Sequence, residues 1–356
     1  MINKRARLIA FYLPQFHPIA ENNLWWGKGF TEWTNVGKAK PLFKNHYQPR
    51  VPADLGYYDL RLADVRNQQA EMAKEAGIEG FCYWHYWFGN GRRLLNLPFD
   101  EVLKSKEPNF PFCLGWANET WSGIWHGLDK KILIEQKYPG VEDYKQHFNS
   151  VLEAFLDDRY LKVEGKPLFY IYKPFLHPEV ELFMKVWREL AIKNGLSGIH
   201  FVGQTPFVKD IEKLDKLGFD SISLVRLEDH MQAKLSLWRR VYNKYLGGIK
   251  VYNYKDAYPY FVGKEETKIN CIPNIIPNWD HSPRSHGRNL ILHDSRPEYF
   301  ANHLEQVLST IQHKPDDRRI AFVKSWNEWG EGNYLEPDLK FGTRYLEVLK
   351  DGIFIS

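Results

Sequence analysis

Several features that mark large protein classes are scarce or missing in this chain of 356 residues. It has three cysteines, Cys82, Cys113 and Cys271. Their odd number argues against a disulfide framework, and their spacing gives no metal motif. All three sit in apolar, strand-like segments and read as buried free thiols of a reducing compartment. There is no dense Lys/Arg block. The formal net charge is +4 with the positive residues dispersed, so the footprint of a nucleic-acid partner is missing. No run approaches the length of a membrane span. Leu8–Leu13 is too short for a signal-peptide core, and Pro14 ends it. A cytoplasmic location is therefore the default expectation, with the periplasm or cell surface the alternative for a chain that has lost a leader. There is no internal repeat and no low-complexity tract. No set of side chains has metal-ligand spacing, and neither a metal nor another cofactor is expected.

Aromatic residues, by contrast, are abundant: 13 Trp, 20 Tyr and 22 Phe. Many fall beside polar residues in short clusters, as they do where an apolar face and a polar tip meet a ligand. That distribution favours a sugar cleft over packing alone.

Eight short apolar runs stand out: Leu8–Leu13, Gly80–Trp84, Phe112–Trp116, Leu168–Tyr172, Ile199–Gly203, Ser221–Val225, Ile272–Pro277 and Ile320–Lys324. Each has the length of a strand buried on both faces. Helical stripes lie between most of them. Val141, Tyr144, Phe148, Val151, Leu152 and Phe155 repeat at 3.6 spacing, as do Phe183, Val186, Trp187 and Leu190, closed by Gly195. Ile211, Leu214 and Leu217 end on Gly218. Ser295 to Glu298 reads as a capping box with an early Pro297, and Phe341–Val348 as the closing helix. Strand–helix alternation predicts a parallel sheet. Eight units predict an α/β fold, one single (β/α)8 TIM-type barrel over residues 1–356 with long βα loops. The open doubly wound alternative often carries a Gly-rich phosphate turn after its first strand, and none follows Leu13. Two connections, about 14–57 and 227–268, are long enough to be rim insertions.

Catalytic groups in such barrels sit where strands end. The first strand delivers Tyr12, Gln15 and His17, then Trp26, Glu32 and Trp33. The second delivers Tyr83, Trp84, His85, Tyr86 and Trp87; the third, Trp116, Asn118, Glu119 and Trp121. The fourth and fifth deliver Tyr172, Lys173 and Gln204; the seventh, Trp279, Asp280 and Arg284. Taken singly, each has a plainer reading. His85 alone reads as a satisfied core histidine, Trp84 and Trp87 as packing or as sugar platforms, and Asp280 and Arg284 as a pair that holds its own loop.

After the eighth strand comes Ser325-Trp326-Asn327-Glu328-Trp329-Gly330-Glu331-Gly332. Two carboxylates stand three residues apart between Trp326, Asn327 and Trp329. Glycoside chemistry needs one carboxyl that holds a proton for the leaving oxygen and one that is ionised. Unequal desolvation of two neighbours separates them in that way. Glu328 and Glu331 are the candidate catalytic pair.

With these residues assembled, the chain resembles the WbsX-type family. The resemblance rests on Phe11–Pro18, Trp25–Asn35, Gly80–Phe88, Trp116–Trp121, Trp279-Asp280 with Pro283-Arg284, and Ser325–Gly332, and runs from about residue 7 to the end. Members of that family occur with bacterial surface-polysaccharide genes and are often called glycosyltransferases. Their domain is similar to glycoside hydrolase family 99, the endo-α-mannosidases and endo-α-mannanases. The resemblance implies Glu328 as general base on the sugar 2-hydroxyl and Glu331 as general acid, with retention through a 1,2-anhydro intermediate. It further implies that the sequence departs at Gly330, where those hydrolases carry His.

The expected function is thus a retaining glycoside hydrolase acting on a bacterial surface polysaccharide or its precursor, with an oligosaccharide or polysaccharide as partner. The alternatives are a glycosyltransferase of O-antigen or capsule assembly and a non-catalytic glycan-binding protein. Asp157-Asp158 and Asp316-Asp317 read as solvated turns rather than a nucleotide-sugar metal motif. The stretch from Lys234 to Lys244, with Trp238, Arg239 and Arg240, reads as a rim helix or, on its basic and aromatic character, as a peripheral membrane contact.

Overall fold

The computed structural model describes residues 4–123, 132–227, 250–285 and 290–355. The segment from Lys234 to Lys244 lies outside the described residues. The barrel strands are numbered here β1 (Arg7–Tyr12), β2 (Gly80–Trp87), β3 (Phe112–Trp116), β4 (Lys166–Ile171), β5 (His200–Thr205), β6 (Ser221–Leu224), β7 (Cys271–Ile275) and β8 (Ile320–Val323). Each neighbours the next, and β8 returns to β1, which also pairs with β2, so the sheet closes. Ile9, for example, lies opposite Phe322 on one side and Gly80 on the other. All eight pairings are parallel. The chain therefore folds as a (β/α)8 barrel, and all eight apolar runs supply its strands.

Strand length differs from expectation at β2. It continues to Trp87 because Tyr86 and Trp87 pair antiparallel with Leu94 and Arg93. Successive side chains point to opposite faces of a strand. In β1, Phe11 enters the barrel, stacking on Trp84 at 4.6 Å and meeting Phe322 and Tyr170. Its neighbour Tyr12 points outward, where its hydroxyl donates to Gln69 in the helix Ala63–Glu75 at 2.6 Å. Aromatic side chains fill the interior, and the outer faces pack on helices such as Val141–Leu156 and Val180–Lys193. Trp187 is fully buried there. The latter helix ends on Gly195 at φ 82° and Ile211–Lys216 is followed by Gly218 at φ 87°, the left-handed exit that glycine allows.

Three local expectations fail. The helix Pro297–Ile311 has Arg296 at its N-cap and no capping side chain. Ser295 instead donates to the Leu292 carbonyl at 3.0 Å, because the chain reverses at Asp294 with φ 56°. The last helix is Arg344–Ile353 rather than 341–348, since the backbone of Lys340 and Phe341 is bound by Asp338 Oδ1. Asp157 is not solvated: it is buried against Arg159 and Lys106.

The connection after β1 folds into two short rim helices, Ala20–Trp26 and Glu32–Gly37. After β6, Lys250–Asn253 pairs in parallel with Leu290–His293 beside the barrel. All three cysteines are free and buried. Among the described residues no helix is long and apolar enough to cross a membrane.

Candidate active site

The loop after β8 is fixed from both sides before it presents its carboxylates. Trp326 N donates to Phe11 O at 2.8 Å. Asn327 bonds both polar groups of the Leu13 backbone, at 2.7 and 3.1 Å. Asn327-Glu328 then pairs antiparallel with Asn333-Tyr334 around a turn closed by Gly332. Trp329 stacks on Tyr334 at 3.8 Å and donates to Glu336 at 2.6 Å. Glu336 also accepts from Gln69 at 2.6 Å and Tyr58 at 2.8 Å. Burial pushes this carboxyl up to about 7 against those three hydrogen bonds. The loop after β7 is tied in through Asp280 N, which donates to Glu331 O at 2.7 Å.

Glu328 and Glu331 both line a cavity of about 480 Å³ at the C-terminal mouth of the barrel. Glu328 is buried and among the described residues accepts one hydrogen bond, from Trp84 Nε1 at 2.7 Å. Burial and the neighbouring Glu331 push its carboxyl up. Glu331 lies in a different field. Burial pushes it up too, but the Arg284 guanidinium on its Oε1 and His281 Nε2 at 3.6 Å outweigh that and hold it down. Arg284 also donates through Nε to Glu32 Oε1 at 2.8 Å, and Gln15 donates to the other oxygen of Glu32 at 3.2 Å. One guanidinium thus bridges two carboxylates from different loops. Two adjacent acids in unlike surroundings can hold one proton between them, the condition for paired acid–base work.

Of the other sequence-derived candidates, Gln15, Trp26, Trp84, Glu119, Tyr172, Trp279 and Arg284 line the same cavity. Glu32 sits behind it, fully buried, and reaches it through Arg284. The rest lie outside its walls and have structural partners. Tyr12 and Tyr83 face helices, Tyr83 packing on Phe99. His17 Nδ1 lies 2.9 Å from Pro14 O, and Trp33 donates to Tyr58 O at 2.8 Å. His85 contacts His147 at 2.8 Å, in line with the core-histidine reading. Trp116 donates to Trp87 O and Asn118 to Lys173 O, both at 2.9 Å. Gln204 accepts from Tyr170. Asp280 binds His46 and Gln48, each at 2.7 Å, and does not pair with Arg284. Trp326, Asn327 and Trp329 are buried within the loop.

Lys324, His281, Asn22 and Asn35 line the cavity without having been singled out, and Tyr86 and Trp121 line it as strand-end groups only. Alternation would have found two of these: Tyr86 shares the parity of Trp84, and Lys324 that of Phe322. No local signal marks the asparagines of the rim helices. Among the described residues no three His, Cys, Asp or Glu are grouped to hold a metal.

Comparison with known proteins adds the following. The solved structure of a glycoside hydrolase-like protein superposes with a TM-score of 0.64, at 13% identity, over 100% of this chain and 96% of that one. The family 99 endo-α-mannosidase of Bacteroides thetaiotaomicron gives 0.58 at 15% identity, over 97% of this chain and 95% of that one. These likenesses carry the fold. The uncharacterized protein WxcX of Xanthomonas campestris pv. campestris (strain B100) is 36% identical over 98% of this chain but 50% of its own length. The chain spans about half the length of the curated relatives it matches. A family model described as glycosyltransferase WbsX matches residues 8–349, and the chain accordingly belongs to the WbsX family.

Proposed function

We propose that the chain is a carbohydrate-active enzyme that breaks a glycosidic bond of a bacterial surface polysaccharide or its precursor, with Glu328 and Glu331 as its acid–base pair. One observation carries this reading: two carboxyl groups in opposed electrostatic surroundings line one cavity beside Trp26, Trp84 and Trp279. The chemistry needs one proton delivered to the departing oxygen and one taken from the hydroxyl that attacks the anomeric carbon. The likeness to family 99 supports a retaining reaction in which the sugar's own 2-hydroxyl attacks first.

The roles implied by that likeness require Glu331 to bring the proton. The charges of the cavity favour the reverse. Arg284 favours the carboxylate form of Glu331, while Glu328, with one indole N–H, is the easier group to protonate. We therefore assign the departing oxygen to Glu328 and the attacking hydroxyl to Glu331.

The family's description as a glycosyltransferase supports a second reading, transfer to a sugar hydroxyl in place of water. The first bond-breaking step is then the same, and the acceptor differs. Incubating bacterial polysaccharides with the protein and analysing the products tests both. Glu328→Gln and Glu331→Gln are each expected to abolish turnover while leaving glycan binding in place. Undiminished activity in both variants would remove the acid-pair mechanism. A specific thermal shift with nucleotide sugars would move the donor from a polysaccharide to an activated sugar.

A further inference from the structure

One buried cation of the cavity has no ion-pair partner among the described residues. Lys324 directly follows β8 with its side chain inside the barrel and is 5% exposed. Its Nζ lies over Phe11 at 4.4 Å, Trp84 at 5.2 Å and Tyr172 at 5.7 Å from the ring centroids. Its one hydrogen bond among the described residues goes to a neutral acceptor, Gln204 Oε1, at 3.2 Å. That amide oxygen is already engaged by Tyr170. An ammonium has three N–H donors, so two are left open on a side chain that lines the cavity. No carboxylate among the described residues comes within 4.0 Å of Nζ, although Glu328 and Glu331 are near enough to act on its charge. The ammonium and the two glutamates line one cavity.

The charge count limits what can fill that space. Arg284 serves two carboxylates, Glu32 and Glu331, and leaves one negative charge uncompensated. Lys324 offsets it. Among the described residues the other charged wall groups, Glu119 and Lys250, cancel formally, and with Glu328 protonated the carboxylates, lysines and arginine described there carry no net formal charge. An anionic sugar would add a buried charge without a further counter-ion among the described residues, which is costly. A neutral sugar adds none, and its hydroxyl oxygens can accept the open N–H groups.

We propose that Lys324 is a catalytic residue: its open N–H donors bind an oxygen of an uncharged glycosyl unit seated between it and the two glutamates. This rests on the carbohydrate reading above. Where that oxygen is one that gains negative charge, the departing oxygen or the 2-hydroxyl losing its proton, a cation fixed in a cavity from which the sugar has expelled water is placed to stabilise it as the glycosidic bond breaks.

The test is binding of D-mannose, D-glucose and D-galactose, with D-glucuronate and D-galacturonate as anionic counterparts, by saturation-transfer NMR and calorimetry. At least one hexose is expected to bind the wild type more tightly than either uronate. Lys324→Met should weaken it about 10- to 100-fold, the worth of one hydrogen bond to a charged group, and Lys324→Arg should recover part of the loss. Thermal unfolding of both variants checks the fold, and Lys324→Gln serves in place of the Met variant if that one does not fold. Three results would overturn the inference: unchanged hexose binding by the Met or Gln variant, tighter binding of a uronate that depends on Lys324, or no hexose binding to the wild type at millimolar concentration. The acid-pair reading fails separately, through active Glu328→Gln and Glu331→Gln variants, and Lys324-dependent hexose binding would survive that failure.

Discussion

Gly330 stands in the middle of the loop after β8 with a backbone any residue can adopt, so its lack of a side chain has a steric origin. A Cβ built there would overlap Glu32 Oε1 and lie 2.8 Å from Glu32 Cδ and 3.2 Å from Arg284 Nε. The end of a glutamate can normally swing aside. Glu32 is fully buried, however, and held by Arg284 at 2.8 Å and Gln15 at 3.2 Å. Gly330→Ala must therefore either move the loop or break the bridge. Overpacking alone costs about 1–3 kcal/mol, and breaking a buried ion pair about 3–5 kcal/mol. We expect a loss of about 3 kcal/mol in urea unfolding. Because Arg284 also sets Glu331, turnover should fall on the order of 100-fold for a displacement of about 1 Å. A double-mutant cycle isolates the cause. In a Glu32→Ala background the added methyl has room, and Gly330→Ala should then cost less than about 0.5 kcal/mol. Equal cost in both backgrounds would refute the steric coupling of Gly330 to Glu32. With Glu32 in place there is no room for a larger side chain at residue 330.

Other outcomes follow from the same geometry. If Glu328 delivers the proton, Glu328→Gln should lose polysaccharide turnover but keep turnover of glycosyl fluorides or nitrophenyl glycosides, whose leaving groups need no proton, whereas Glu331→Gln should lose both; the opposite pattern would restore the roles that the family resemblance implies. Trp84→Phe removes a hydrogen bond that favours ionised Glu328, so the alkaline limb of kcat/KM should move to higher pH by on the order of one unit, and a move to lower pH would exclude Glu328 as the acid. Glu336 is raised from 4.5 to about 7 in the native state. Between those values the folded chain binds a proton that the unfolded chain has released, so stability falls as pH rises through that window, by at most ~3 kcal/mol. Urea unfolding at several pH values should show this fall in the wild type and a flatter dependence in Glu336→Gln; equal slopes would exclude Glu336 as its source.

How far the sequence discloses this site depends on the range of the interactions. Each barrel strand is a local apolar run, so its place and kind are written in five or six neighbouring residues, and the alternation with helical stripes supplies the closure. Which strand-end residues face the cavity is also local, through parity. Phe11 points in and Tyr12 out; Trp84 and Tyr86 point in, while Tyr83 and His85 point out to Phe99 and His147. Reading every polar or aromatic residue after a strand as a candidate ignores that alternation. It places Tyr12, Tyr83, His85 and Trp116 at the site, although all four serve the helix layer, and it passes over Lys324, which alternation puts inside. The arrangement that separates Glu331 from Glu328 is of another kind. Arg284 meets Glu32 across 252 positions of sequence and Glu331 across 47, and Trp84 meets Glu328 across 244. No pattern in either segment announces its partner. The pairings arise when barrel closure brings the loops after β1, β7 and β8 to one rim. Two glutamates three residues apart share nearly the same local sequence, so their difference in proton affinity has to come from such distant groups, and it exists only in the folded chain.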